Sequence, residues 1–194
     1  MGELDDGAMA CTSLSLSAFP FLTPDEFDRA CRDLVERACS CTAAQADRGW
    51  SSVRLVTQEA LVRTNLHPTL QIDYDIVLSP TYQVPVLYFV LRWHNHQGPV
   101  GLDAVYQYVV PEQYKQQLQN VGVMGGISFG YHPESGAPAF FVHPCNTADA
   151  MAQVADGQSV TTGTYLLVWL GLVGQSVNLH VPREMVVSDG PSPS

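Results

Sequence analysis

The stretch that decides the fold is residues 71–93, which read QIDYDIVLSPTYQVPVLYFVLRW. Apolar and mostly polar residues alternate over 72–78, which predicts a half-buried β-strand. Ser79-Pro80 ends this strand, and the continuous apolar run 86–91 predicts a second strand that is covered on both faces. Pro85 at the start of the second strand favours an edge position or a bulge there. Two strands of a sheet are therefore expected in this stretch.

A helix is predicted before the sheet. Thr23 suits the N-cap, Pro24 the first helical position, and Glu26 completes a capping box. Helical spacing then gives one apolar face, made of Phe27, Ala30, Cys31, Leu34, Val35 and Ala38. We expect the helix to end before Gly49 and a further strand over 50–58.

The chain after the sheet stretch is more irregular. Residues 102–110 fit either a helix or a strand, and a short helix is predicted over 111–118. The glycine-rich run 122–130 predicts a flexible loop. Helices are expected over 147–154 and 165–173, so the whole pattern indicates an α+β fold with an antiparallel meander.

Length and composition fit one folded domain. The chain has 194 residues, of which 46% are hydrophobic, enough to bury a core. We expect this domain over 19–187, with a flexible N-terminus over 1–18 and a disordered Pro/Ser-rich tail over 188–194.

The charge balance excludes one class of partner. The net charge is −10, and Lys115 is the only lysine among the basic residues. A nucleic-acid-binding protein normally carries a basic stripe, and the sequence has none. No nucleic-acid partner is therefore expected.

Cytoplasmic localisation is predicted from three features. The acidic N-terminus lacks the apolar core of a signal peptide. The longest apolar stretch, 166–173, is far shorter than the roughly 18 residues that a membrane helix needs. The five cysteines are odd in number and contain no C-x-x-C pair, which argues against a zinc site and against a secreted disulfide framework.

Cys145 is the cysteine with the most suggestive surroundings. Pro144 restricts the backbone beside it, so a stiff turn is expected to present the thiol. The following residues, including Asn146 and Asp149, are typical of a helix start, which stabilises a thiolate. In an extended segment, His143 would share a face with Cys145.

Three interpretations of this thiol remain open from the residues alone. In a structural interpretation, His143 bonds a nearby carbonyl and Cys145 is packed. In a hydrolase, Cys145 is the nucleophile and His180 the base, oriented by Asn178 or Asp149. In an acyl carrier, Cys145 accepts an acyl group and passes it to an amine.

Four segments in order resemble the autophagy-specific ubiquitin-conjugating enzymes. The characteristic strand is YQVPVLYF at 82–89, and the active-site tripeptide is His143-Pro144-Cys145. Between them lie His132-Pro133 and the run 136–142, and the helix 165–170 follows. This resemblance implies a ubiquitin-conjugating-enzyme-like fold: an N-terminal helix, an antiparallel β-meander, an active-site loop and C-terminal helices.

The resemblance also implies a reaction. The chain is closer to the branch of the family that modifies a protein than to the branch that modifies a lipid headgroup. Cys145 would then take autophagy-related protein 12 as a thioester from the activating enzyme, autophagy-related protein 7. A lysine of the acceptor, autophagy-related protein 5, would attack this thioester. No metal and no nucleotide or organic cofactor is expected. A catalytically silent binding module of the same fold is a further alternative.

The sequence indicates less clearly which residues would assist Cys145 in catalysis. Ordinary ubiquitin-conjugating enzymes use an asparagine before the cysteine to stabilise the oxyanion, and here the nearest one is Asn120. Asn146 or Tyr82 could donate a hydrogen bond instead. Asp149 could position the incoming lysine, or it could simply be an acid in a first helical turn.

Overall fold

The computed structural model describes residues 14–42, 50–56, 59–67, 70–93, 100–120, 126–155 and 159–186. The predicted tail and most of the predicted flexible N-terminus lie outside these ranges. Among the residues described, none of the helices is both long and apolar enough to span a bilayer.

One antiparallel sheet and six α-helices make up the described chain. The helices are α1 (Pro24–Thr42), α2 (Leu102–Tyr108), α3 (Glu112–Asn120), α4 (Thr147–Val154), α5 (Thr162–Val173) and α6 (Arg183–Val186). The strands are β1 (Trp50–Val56), β2 (Glu59–His67), β3 (Leu70–Leu78), β4 (Pro85–Trp93), β5 (Ile127–Tyr131) and β6 (Pro138–Val142). The sheet order is β1-β2-β3-β4-β6-β5.

The α+β class and the antiparallel meander are confirmed. The sequence did not predict strand β2. A strand was predicted over 50–58, and the structure has β1 there, over Trp50–Val56. The flexible-loop prediction for 122–130 is wrong at its end, because β5 pairs with β6 there. The sequence fitted either a helix or a strand over 102–110, and the structure has a helix over 102–108. β4 is an interior strand of the sheet, but Pro85 at its start is paired only with Leu78 of β3, because the pairing with β6 covers Tyr88 and Phe89.

The capping box of α1 is confirmed. The Thr23 N–H donates to Glu26 Oε2 at 2.9 Å, and the Glu26 N–H donates to Thr23 Oγ1 at 3.3 Å. The Ser17 N–H also donates to this carboxylate, at 2.7 Å. Although burial opposes ionisation, these hydrogen bonds hold the pKa of Glu26 below its ordinary value.

Replacing Thr23 by alanine is expected to lower the free energy of unfolding by about 1 kcal/mol, because it removes this cap. Urea denaturation measures the change, and Thr23→Ser, which keeps the hydroxyl, is the control. Equal stability of the alanine variant and the wild type would show that the cap contributes nothing.

The core lies between the sheet and the helices. Helix α1 packs against α5, β1 and β2, and its predicted apolar face is buried except for the half-buried Val35. Tyr74 of β3 and Trp169 of α5 are fully buried here, and the Tyr74 hydroxyl donates to the Val177 carbonyl at 2.7 Å. Residues two apart along a strand share a face. Asp73 and Asp75 therefore lie on the opposite face of β3.

Candidate active site

Cys145 lies in a short 3-10 turn, Pro144–Asn146, between β6 and α4. Pro144 occupies the start of this turn and is buried, which fixes the backbone just before the thiol. Cys145 itself is half-buried. The predicted turn is therefore present, and the cysteine that it carries is partly exposed.

His143 holds the backbone of this turn. Its ring Nδ1 accepts a hydrogen bond from the Cys145 N–H at 3.3 Å, and His143 is the N-cap residue of the turn. The expectation that His143 and Cys145 share one face of an extended segment is wrong, because the chain turns into a 3-10 helix after His143. Because Nδ1 accepts, the proton of the neutral ring lies on Nε2.

Two aromatic rings surround His143. The Tyr82 ring meets it edge-on with 5.7 Å between the centroids, and the Phe141 ring lies 6.3 Å away. Tyr82 is 40% exposed. Its ring is thus placed beside the residue that caps the cysteine turn.

The turn between β3 and β4 positions Tyr82. The Tyr82 N–H donates to Ser79 Oγ at 3.2 Å, and the next residue, Gln83, has φ of 54°, in the left-handed region. The Gln83 carbonyl accepts from the Leu22 N–H at 2.8 Å, which ties the turn to the segment before α1.

Asn146 and Asp149 both lie at the start of α4 and are exposed. Asn146 is the N-cap residue, but its side chain makes no capping hydrogen bond. Asp149 is an acid in the first helical turn. Both residues are thus exposed to solvent, and both follow Cys145 closely in the sequence.

His180 and Asn178 do form the predicted pair, with 3.0 Å between His180 Nε2 and Asn178 Oδ1. However, the His180 carbonyl accepts from Trp50 Nε1 of β1 at 2.7 Å, and three strands separate β1 from β6. At roughly 4.8 Å per strand, β1 and β6 are about 19 Å apart. This arrangement gives no support to a hydrolase in which His180 serves Cys145.

His132, in the turn between β5 and β6, is 6% exposed. Its Nδ1 accepts from the N–H groups of Glu134 and Ser135, each at 3.3 Å, so His132 bonds within its own loop. Its Nε2 lies 3.5 Å from Asp75 Oδ2. Burial raises the pKa of Asp75, and His132 opposes that rise.

The neighbouring carboxyl of Glu59 is also buried. Burial, with Asp75 and Glu134 nearby, raises the pKa of Glu59 from its ordinary 4.5 to about 7. Between pH 4.5 and about 7 the folded protein therefore keeps a proton that the unfolded chain releases, so stability falls as the pH rises through this window.

A Glu59→Gln variant is expected to remove this pH dependence, because an amide does not ionise. Relative to the wild type, it should gain on the order of 1–2 kcal/mol of unfolding free energy between pH 5 and pH 8. Urea denaturation at the two pH values measures the gain. Glu36→Gln, an exposed carboxyl on α1, is the matched control. Parallel pH profiles for Glu59→Gln and the wild type would contradict the expectation.

Sequence reasoning did not find Tyr88 and Phe141 near the site. Their rings lie 5.3 Å apart, and Tyr88 also meets the His132 ring edge-on at 5.0 Å. Strand register creates these contacts, since Tyr88 and Phe141 are cross-strand partners. Among the described residues, no three His, Cys, Asp or Glu side chains are grouped so as to hold a metal ion.

Comparisons with known proteins show which family this chain resembles. A family model described as autophagocytosis-associated protein, active-site domain, matches residues 43–184. The ubiquitin-like-conjugating enzyme ATG10 of Gibberella zeae is 42% identical over 132 residues, which cover 67% of this chain and 54% of that protein. The Arabidopsis thaliana ATG10 is 32% identical over 143 residues, which cover 68% of this chain and 62% of that protein.

The Homo sapiens ATG10 is 34% identical over 115 residues, which cover 58% of this chain and 51% of that protein. The chain thus spans about half the length of the curated relatives it matches. The solved structure titled "Solution structures of KmAtg10" superposes with a TM-score of 0.53 at 15% identity, over 84% of this chain and 99% of that one. This likeness bears on the fold, and it supports the expected ubiquitin-conjugating-enzyme-like fold.

Proposed function

The chain belongs to the family of autophagocytosis-associated proteins with this active-site domain, and on that premise we propose that it is a ubiquitin-like-protein conjugating enzyme of autophagy. The curated relatives are named ubiquitin-like-conjugating enzymes. Cys145 is proposed as the residue that carries the modifier. The residues matched by the family model include the whole segment from the Tyr82 turn to α5.

The proposed reaction has two acyl transfers. First, the Cys145 thiolate attacks the thioester between the activating enzyme and the C-terminal glycine of the modifier, and the thiol of the activating enzyme leaves. Second, a lysine amine of the acceptor attacks the new thioester. An isopeptide bond forms, the amine loses a proton, and the thiol of Cys145 is regenerated.

The proposed partners follow the family resemblance. The modifier is autophagy-related protein 12, the activating enzyme is autophagy-related protein 7, and the acceptor is autophagy-related protein 5. The second transfer distinguishes a protein acceptor from a lipid acceptor, because only the former gives a product with an isopeptide bond.

The residues around Cys145 have distinct proposed roles. His143 fixes the turn through the Cys145 N–H, so the thiol is presented in one orientation. Tyr82 and Asn146 are exposed and can donate a hydrogen bond to the oxyanion of the tetrahedral intermediate. Asp149 is proposed to position the incoming lysine or accept its proton.

One observation carries this proposal: the half-buried Cys145 lies in a proline-fixed turn whose backbone N–H is bonded to His143. The test incubates the protein with modifier, activating enzyme and ATP and separates the products on a non-reducing gel. We expect a higher-mass adduct that disappears when thiol is added. Absence of the adduct, with a demonstrably active activating enzyme, would overturn the proposal and favour a silent binding module.

A further inference from the structure

One row of residues crosses the sheet on the face opposite α1. Asp75 of β3 is the direct cross-strand partner of Tyr88 of β4, and Tyr88 is the partner of Phe141 of β6. Because paired residues point to the same face, these three side chains form a continuous row. The row leads from the middle of the sheet to the strand that ends at the cysteine turn.

His132 covers this row. Its ring meets the Tyr88 ring edge-on at 5.0 Å, and its Nε2 lies 3.5 Å from Asp75 Oδ2. Because Nδ1 of His132 accepts from two backbone N–H groups, the proton of the neutral ring lies on Nε2, facing Asp75. Backbone hydrogen bonds of the turn thus hold one side of the ring, and the Asp75 carboxylate faces the other side at ion-pair distance.

The row continues to the backbone of the cysteine turn. The Tyr88 ring packs on Phe141 at 5.3 Å, Phe141 lies 6.3 Å from His143, and His143 accepts from the Cys145 N–H. Each step is a packed ring or a hydrogen bond, so a shift of His132 moves the rings in contact with it. The Asp75 side chain is 22% exposed, and a carboxylate that is largely withdrawn from water is costly unless a partner or a function keeps it there.

We infer that Asp75 is a positioning residue, which sets the orientation of the Cys145 turn through His132, Tyr88, Phe141 and His143. This inference deepens the proposed function, since the orientation of the thioester determines how readily the acceptor amine reaches it. Asp75 does not touch the thiol. Its effect is on geometry, and small errors in the placement of a reacting group are expensive.

The test uses an Asp75→Leu variant, which keeps the approximate size of the side chain and removes the charge. The matched control is Asp73→Leu, because Asp73 lies on the same strand and face but pairs with Arg63 and Arg92 instead. Two quantities are compared with the wild type. They are the amide chemical shift of Cys145 in NMR spectra and the rate at which a preformed thioester transfers its modifier to the acceptor.

We expect Asp75→Leu to shift the Cys145 amide signal and to slow transfer by about tenfold, with the KM for the acceptor unchanged. Asp73→Leu should leave the amide signal and the transfer rate as in the wild type. If Asp75→Leu matches the wild type in both quantities, the inference is overturned. Should Asp75→Leu fail to fold, Asp75→Asn is tested in its place. It should shift the Cys145 amide signal and slow the transfer in the same direction, by smaller amounts.

A double variant identifies the route. If Asp75 acts through His132, then Asp75→Leu combined with His132→Gln should transfer no more slowly than the slower single variant. If the rate reductions of the two single variants instead multiply in the double variant, Asp75 acts independently of His132. That result would contradict the inferred route. The NMR measurement needs no modifier, so it still tests the inference if no thioester forms and the proposed function fails.

Discussion

A Cys145→Ala variant is expected to form no thioester adduct and no conjugate. Alanine has no nucleophile, so both proposed acyl transfers stop at once. Replacement by serine is expected to give a different result, since a hydroxyl can accept the modifier but leaves an oxyester that resists attack by an amine. The serine adduct should therefore accumulate and survive added thiol. Both outcomes are scored on non-reducing and reducing gels with labelled modifier.

The control removes the remaining cysteines together, as Cys11→Ser, Cys31→Ala, Cys39→Ser and Cys41→Ser. This variant should charge as the wild type does. Burial and the nearby Asp28 raise the pKa of Cys31 to about 12, so this thiol has no thiolate to offer at neutral pH. Normal charging of Cys145→Ala, or loss of charging in the control despite a native fold, would exclude Cys145 as the sole acceptor.

A Trp169→Ala variant is expected to have the largest effect on stability. Trp169 is fully buried on α5, where the helix packs against α1. Truncating a buried tryptophan removes its packing and leaves a cavity, which costs roughly 3–5 kcal/mol. Because domains are typically stable by about 5–15 kcal/mol, this loss would bring the protein close to unfolding.

Equilibrium unfolding in urea, followed by circular dichroism, measures the loss. Val154→Ala is the comparison, because Val154 is exposed on α4 and its truncation should change stability by no more than about 0.5 kcal/mol. A loss below about 1 kcal/mol in Trp169→Ala would show that the core around α5 refills the cavity or was never tightly packed.

Local signals in the sequence predicted much of the fold. The capping box predicted the start of α1 at Pro24, and alternation predicted β3. Strand β2 was missed because its apolar residues occur among Arg63, Thr64 and Asn65, so its alternation is weak. Strand β5 was missed because glycines precede it and its partner, β6, supplies the pairing. Such strands are specified by their neighbours more than by their own residues.

The candidate site was predictable at Cys145 and less so around it. The motif His143-Pro144-Cys145 and the order of the flanking segments were visible in the sequence. The contact between Tyr88 and Phe141 was not, because it depends on the register of β4 with β6. The role of His143 as an acceptor for the Cys145 N–H depends on a turn that spacing alone does not predict.

The segment before α1 has a consequence for how the protein folds during synthesis. The Leu14 carbonyl accepts from the Thr162 N–H at 3.1 Å, and the Pro20 carbonyl accepts from the Tyr165 hydroxyl at 2.6 Å. Helix α1 likewise completes its packing against α5. These early residues therefore remain without their partners until α5 has left the ribosome. The native contacts of residues 14–42 with α5 should therefore appear late in translation, and contacts this far apart in sequence slow folding.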